Sequence, residues 1–505
     1  EANKTEKQIA PSVLHQGLFN HAHTHPNNVA LLAGEVQFSY QQLATASLQV
    51  ANLLIQHGLQ PSENVAVTLP RGIPQVCAVF GILAAGGCYV PIGIHQPASR
   101  QAKIHNTANI RLVLTDETHL HHDTIDGVTR LDITLARQLP ALDAPLECAT
   151  SQSAYIIFTS GSTGEPKGVE MAHEATANTI DEINQRYKVN QNSRVLALSA
   201  LDFDLSVYDL FGLTNAGGTI VLIEEEQRRD ANAWLHLIQQ HQINLWNSVP
   251  VLLDMLMLVA QNDERTLPFN QVMLSGDWIG LDLPQRLQNN ALPHTALIAM
   301  GGATEAAIWS NAFDVFLPLP SDWNSIPYGK PLANQTYRVV DAQGRNCPDW
   351  VPGELWIGGL GLAKGYKGDH ELTQQRFVTV SGQRWYRTGD QGRYWPDGNL
   401  EFLGRLDHQV KVRGHRIELG EIETALNNIK GIARSAVVTI GNPKTLAGAI
   451  VPEQRGTDSQ KMTLNLDDIH QALLQQLPDY MVPAHLVCID ILPLSANGKV
   501  DRKQI

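Results

Sequence analysis

At 505 residues and 43% hydrophobic, the chain can bury several cores, and about two to four structural units are expected. Its 37 basic residues stand against 50 acidic ones, for a formal charge of −13 with no sustained run of one sign. That excludes the basic surface which nucleic acid or an anionic membrane would need as main partner, and leaves a soluble enzyme as the class to test.

The first residues, Glu1-Ala2-Asn3-Lys4, are polar and lack the apolar segment of a signal peptide. From Gly72 to Ser99 no residue is formally charged. Gly86-Gly87 and Pro91 interrupt this stretch, so a buried helix, a glycine turn and a short strand at Cys88-Tyr89-Val90 are expected rather than a membrane span, which needs ~20 uninterrupted apolar residues. Ala154-Tyr155-Ile156-Ile157-Phe158 reads as a buried strand. Further on, the strand candidate Thr219–Ile223, a helix pattern through Ala233, Leu235, Leu237 and Ile238, and the strand candidate Ile243–Trp246 compose a β–α–β crossover unit. After Phe316 a Pro-rich passage precedes short β-like runs at Tyr337–Val340 and Glu354–Ile357, and near Gly404–Asp407 the pattern changes again. The fold class expected is α/β: a large N-terminal domain, residues 1–406, of α/β subdomains with a β-rich subdomain, plus a small mobile C-terminal α+β domain, residues 407–505. The five cysteines have neither metal-ligand nor C-x-x-C spacing, and their odd number fits a reducing, cytoplasmic setting. With no initiator Met and an end just past Asp501-Arg502-Lys503, the chain reads as a piece of a longer polypeptide.

The strongest local signal is Thr159-Ser160-Gly161-Ser162-Thr163-Gly164-Glu165-Pro166-Lys167-Gly168, directly after the Ala154–Phe158 run. Glycines let the backbone turn its N–H groups toward an anion, hydroxyls add donors, and Lys167 adds positive charge. The order Pro-Lys-Gly is not that of a Walker loop. A phosphate-binding loop is expected over a plain surface loop.

This segment resembles the phosphate loop of adenylate-forming enzymes, and further segments follow in that family's order. They are Phe38–Leu43, Ala84–Ile92, Gly302-Ala303-Thr304-Glu305, Gly353–Gly359, Tyr386-Arg387-Thr388-Gly389-Asp390, Gly404–Gly414 and Asn497-Gly498-Lys499-Val500-Asp501-Arg502. The chain is identified as resembling an amino-acid adenylation domain of a non-ribosomal peptide synthetase, over nearly its whole length. The resemblance implies ATP and Mg²⁺ as cofactors, with Thr159 to Gly164, Gly302 and Thr304 around the nucleotide. It also implies Glu305 as the magnesium carboxylate, Asp390 and Arg405 at the ribose, and Lys167 and Lys499 as catalytic cations, Lys499 acting in the transition state of adenylation. Asp407 matches the hinge about which the C-terminal domain turns between adenylation and thiol loading. Many relatives carry Asn-x-Tyr-Gly before the Thr-Glu pair, with that Tyr stacked on adenine; here the stretch is Ala299-Met300-Gly301-Gly302, so the base leans on other surfaces, Phe402 and the backbone near Asp277.

Within Phe203–Asp209, Asp204 stands where peptide-synthetase domains place the acid that pairs with a substrate α-ammonium; an ordinary helix-capping Asp is the bland alternative. The carried-over substrate positions are Asp204, Leu205, Tyr208, Asn247, Leu274, Gly276, Met300, Ile308, Trp309 and Lys499. Tyr208, Met300 and Trp309 are bulky and leave room for a small side chain. The set is similar to that of cysteine-activating domains, with Gly276 and Met300 as departures and serine as nearest rival. A phosphopantetheinylated carrier domain and neighbouring synthetase domains are the implied partners. A free-standing acyl-CoA ligase and a silent nucleotide-binding module remain as alternatives.

Overall fold

The computed structural model describes residues 2–120, 125, 127–161, 165–263, 265–407, 409–441, 443–455, 460–461, 464–493 and 500–505. The chain divides into two compact units: residues 1–94, 108–157 and 168–406 form one, and residues 95–107, 158–167 and 407–505 the other.

The large unit is built on two mainly parallel sheets. In the nine-stranded sheet, Arg194–Ala197, Thr219–Leu222, Leu245–Ser248, Gln271–Leu274 and Ala296–Gly301 run parallel, and Asn311–Val315 returns antiparallel at one side. Strands such as Thr219–Leu222 and Leu245–Ser248 are buried at every residue, which is why they show no alternation in sequence. The crossover between those two strands is the helix Ala231–His241, capped by Asp230, whose carboxylate accepts from the Asn232 and Ala233 amides. A seven-stranded sheet holds Asn64–Val67 between Cys88–Pro91 and Leu112–Thr115, all parallel. The charge-free stretch after Gly72 forms the buried helix Ile73–Ala84 and the buried strand Cys88–Pro91. Among the described residues no helix is long and apolar enough to cross a membrane.

Ser39 and Gln42 form a capping box: the Gln42 amide donates to Ser39 Oγ at 3.2 Å and the Ser39 amide to Gln42 Oε1 at 2.8 Å. The box starts the helix Tyr40–Gln56, which packs on Ile73–Ala84. Gly81 makes that packing possible, since a Cβ there would lie 2.6 Å from Val50 Cβ. After the Pro-rich passage come the antiparallel strands Gln335–Val340, Gly353–Gly359, Phe377–Val380, Gln383–Tyr394 and Leu400–Arg405, the β-rich part expected from sequence.

The small unit is α+β. Its hairpin Gln409–Val412/His415–Glu418, helices Leu419–Asn427 and Leu466–Leu474 and a three-stranded sheet enclose a core of their own, with Ile417, Ile422, Leu426, Val437, Ile450 and Leu473 buried. The five cysteines are free thiols.

Candidate active site

Open α/β sheets hold ligands beyond the carboxyl ends of their parallel strands. Three adjacent strands of the nine-stranded sheet end on predicted residues: Leu245–Ser248 carries Asn247, Gln271–Leu274 ends at Leu274 with Gly276 two residues on, and Ala296–Gly301 carries Met300. Sheet pairing, not proximity in sequence, brings these positions to one edge.

Asp204 stands at the start of the short helix Leu205–Val207 but makes no side-chain capping bond. Its buried carboxylate instead accepts the Thr304 hydroxyl at 2.7 Å, tying the Phe203–Asp209 motif to Gly302–Glu305. Tyr208 donates to Asn184 Oδ1 at 2.9 Å, and its ring lies 5.0 Å from that of Trp309, whose Nε1 donates to Ser275 Oγ at 3.0 Å. Leu205, Met300 and Ile308 are buried in the same core as Tyr208 and Trp309, and Leu274 is buried in the neighbouring one. Ala307 and Ile308 take φ of 56° and 70°, a left-handed pair without glycine, strained at ~1–3 kcal/mol each and held by the Ser310 amide bonding Gly301 O at 2.8 Å.

Asn247 has its two amide hydrogens committed. Nδ2 donates to Leu205 O at 3.3 Å and to Asp209 Oδ1 at 2.9 Å, while Oδ1 is buried and finds no donor. Because the Leu205 carbonyl can only accept, it fixes which way the amide points. Burial pushes the Asp209 carboxyl from its ordinary 3.8 up to about 8; the Asn247 hydrogen bond and the Arg71 charge oppose the shift without cancelling it. Sequence reading passed over Asp209; the signal was an acid one turn beyond Asp204.

Glu305 is wholly buried and accepts the Tyr366 hydroxyl at 2.7 Å, and its own carbonyl accepts from the Ala363 amide at 2.9 Å. Asp390 lies within the strand Gln383–Tyr394 and pairs with Arg405 at 2.6 Å across the ladder to Leu400–Arg405. Phe402, from the same ladder, is half-buried, with Trp278 5.0 Å away.

The small unit holds both ends of the segment expected from sequence to be a phosphate loop. Ser160 Oγ donates to Arg416 O at 2.7 Å and accepts from the Glu418 amide at 3.2 Å. The Gly161 amide donates to Glu421 Oε2 at 3.0 Å, with Arg100 on the other carboxylate oxygen, and Lys167 Nζ sits 3.2 Å from Glu418 Oε1. A backbone amide and a lysine on carboxylate oxygens make the contacts that phosphate oxygens would draw. Thr159 Oγ1 is buried without a hydrogen-bond partner. Asp407 accepts from the Gln409 amide at 3.1 Å. Ser162, Thr163, Gly164 and Lys499 lie outside the described residues.

The chain matches the AMP-binding enzyme family over residues 18–367 and the AMP-binding enzyme C-terminal domain over residues 421–499. It is 49% identical over 502 residues to an anguibactin system regulator of Vibrio anguillarum, covering 99% of this chain and 48% of that protein. With pyochelin synthetase PchE of Pseudomonas aeruginosa it shares 50% over 440 residues, 87% of this chain and 30% of that one. With phenyloxazoline synthase MbtB of Mycobacterium tuberculosis it shares 42% over 504 residues, 99% and 35%. The chain thus spans about half the length of these relatives or less. Among solved structures, the α-methyl-L-serine-AMP-bound form of the non-ribosomal peptide synthetase FmoA3 superposes with a TM-score of 0.77 at 34% identity, over 99% of this chain and 50% of that one. PA1221, a synthetase protein with adenylation and PCP domains, gives 0.83 at 27%, over 99% and 85%. The chain belongs to the AMP-binding enzyme family, as an adenylate-forming ligase of the kind that makes up the adenylation domains of non-ribosomal peptide synthetases.

Proposed function

We propose that this chain activates a small amino acid, L-cysteine, as its aminoacyl-adenylate and passes it to the phosphopantetheine thiol of a carrier domain in a non-ribosomal peptide synthetase. The observation that carries the side-chain class is the buried, undonated Oδ1 of Asn247. A buried acceptor costs about 1–3 kcal/mol until a donor meets it, and in this reading a substrate S–H or O–H is that donor. Tyr208 and Trp309 favour a short side chain by their bulk. The α-methyl-L-serine-AMP in FmoA3, a small hydroxyl-bearing residue, points the same way.

In this reading Asp204, a buried carboxylate at the position where peptide-synthetase domains place their ammonium-pairing acid, meets the substrate ammonium. The substrate carboxylate attacks the α-phosphorus of ATP and pyrophosphate leaves. Both reactants are anionic, so the work lies in positioning and charge neutralisation, with Lys167 and Lys499 supplying positive charge. Asp390, held by Arg405, accepts from ribose hydroxyls. Glu305 suits magnesium, which is usually held by one or two carboxylates together with phosphate oxygens. Among the described residues no cluster of three or more His, Cys, Asp or Glu forms a protein cage for a metal. Magnesium, when bound, offsets the charge of the phosphates. Asp407 serves as hinge between adenylation and thiol loading.

The test is pyrophosphate release with cysteine, serine, alanine and 2-aminobutyrate, the last replacing S–H by a methyl group. Cysteine is expected to lead serine, and 2-aminobutyrate to fall at least ~100-fold behind, because a site that hydrogen-bonds a donor rejects analogues lacking it. Asn247→Leu narrows that gap. Equal rates for cysteine and 2-aminobutyrate would remove Asn247 from specificity, and a maximum with an aromatic residue would remove the small-substrate reading.

A further inference from the structure

The strand Ala296–Gly301 ends on Gly301, the position at which the sequence resemblance implies a stacking tyrosine in many relatives. The volume is not left to solvent. A Cβ on Gly301 would lie 2.0 Å from Cε2 and 2.3 Å from Cζ of Tyr328, so the Tyr328 ring takes the space that a side chain at position 301 would enter. Its hydroxyl accepts from the Gly302 amide at 3.0 Å. Its own amide donates to Leu400 O at 2.7 Å, tying its backbone to the strand that carries Phe402. Tyr328 and Phe402 have centroids 5.7 Å apart at 32°, and Phe402 lies 5.0 Å from Trp278, which is 44% exposed.

The partly buried Tyr328 and Phe402 rings lie near the Asp390–Arg405 pair, whose charges reach the Tyr328 phenol. A flat π surface beside a buried carboxylate suits a planar heteroaromatic base whose sugar hydroxyls donate to that carboxylate. Tyr328 and Gly301 come as a pair: the ring excludes any side chain at 301, and the glycine admits the ring.

We propose that Tyr328, flanked by Phe402, is the adenine-stacking surface of this chain, supplied from a different strand connection in place of the ring that relatives carry at the position of Gly301. The proposal rests on the reading of the chain as an ATP-using enzyme and concerns only how the base is held.

Calorimetric binding of ATP and of tripolyphosphate, which has the phosphates without the base, tests it in wild type, Tyr328→Leu and Tyr328→Phe. The expected result is ATP bound about 10- to 100-fold more weakly by Tyr328→Leu, the range given by loss of one base–aromatic stack. Tyr328→Phe stays within about threefold of wild type, and tripolyphosphate binds all three alike. ATP affinity unchanged in Tyr328→Leu overturns the proposal. So does an equal loss in Tyr328→Phe, which would assign the effect to the Gly302 hydrogen bond, or a parallel loss of tripolyphosphate, which would mark general collapse of the site. Wild type that fails to bind ATP sinks the nucleotide reading itself, an outcome distinct from the other three.

Discussion

Asp209 holds a proton that the unfolded chain would release. With its carboxyl raised to about 8 by burial, the folded state binds one more proton than the unfolded state between pH 4 and 8. Stability from this group is therefore greatest below its unfolded pKa and is lost as pH rises toward 8. In Asp209→Asn the neighbouring acceptor for Asn247 is kept and the titration is gone. The melting temperature of wild type is expected to fall relative to Asp209→Asn as pH is raised from 5 to 8, and parallel curves would contradict the assignment. Little of this was legible in sequence. Asp204 and Glu305 could be placed by motif, but the Asp209–Asn247 contact spans a helix and a strand that only folding joins. Tyr328 lies in a passage rich in Pro and turn residues that reads as a connector, and its meeting with Gly301 is a product of strand pairing.

Helix–helix packing in the large unit turns on one missing methyl group. Gly81→Ala would place Cβ 2.6 Å from Val50 Cβ and 2.9 Å from Ser47 O, and backbone cannot retreat as a side chain can. Overpacking of this kind costs ~1–3 kcal/mol, so chemical denaturation should show a lower midpoint with an unchanged slope. An unchanged midpoint would mean the two helices part freely. At this scale sequence did better: the helix Ile73–Ala84, the strand Ser153–Thr159 and the crossover helix Ala231–His241 fall where apolar patterning places them. The exception is instructive. Ile243–Trp246 reads as strand, yet the strand is Leu245–Ser248, because Asn247 and Ser248 are polar and wholly buried. Patterning fails at this strand because polar residues that are buried in a sheet look like loop in sequence.

For the whole molecule, two half-reactions are assigned to one chain, with Asp407 proposed as the pivot between them. Proline fixes φ near −65° and removes an amide hydrogen. Asp407→Pro is expected to leave ATP–pyrophosphate exchange within about threefold while slowing transfer to a phosphopantetheinylated carrier by at least ~10-fold, as gating by a conformational step requires. Equal losses in both would assign Asp407 to the chemistry or the fold instead. The matches to two consecutive AMP-binding enzyme domains fix the reaction class, whereas the proposed acid rests on a few side chains at three strand ends. Amino-acid activation by this chain is tested by cysteine-dependent ATP–pyrophosphate exchange, run beside Lys499→Ala. Exchange is expected well above the amino-acid-free rate, and reduced ~100-fold or more in the variant, in line with loss of one charge-stabilising group. No exchange with any amino acid, or turnover only with a fatty or aryl acid and coenzyme A, would contradict it.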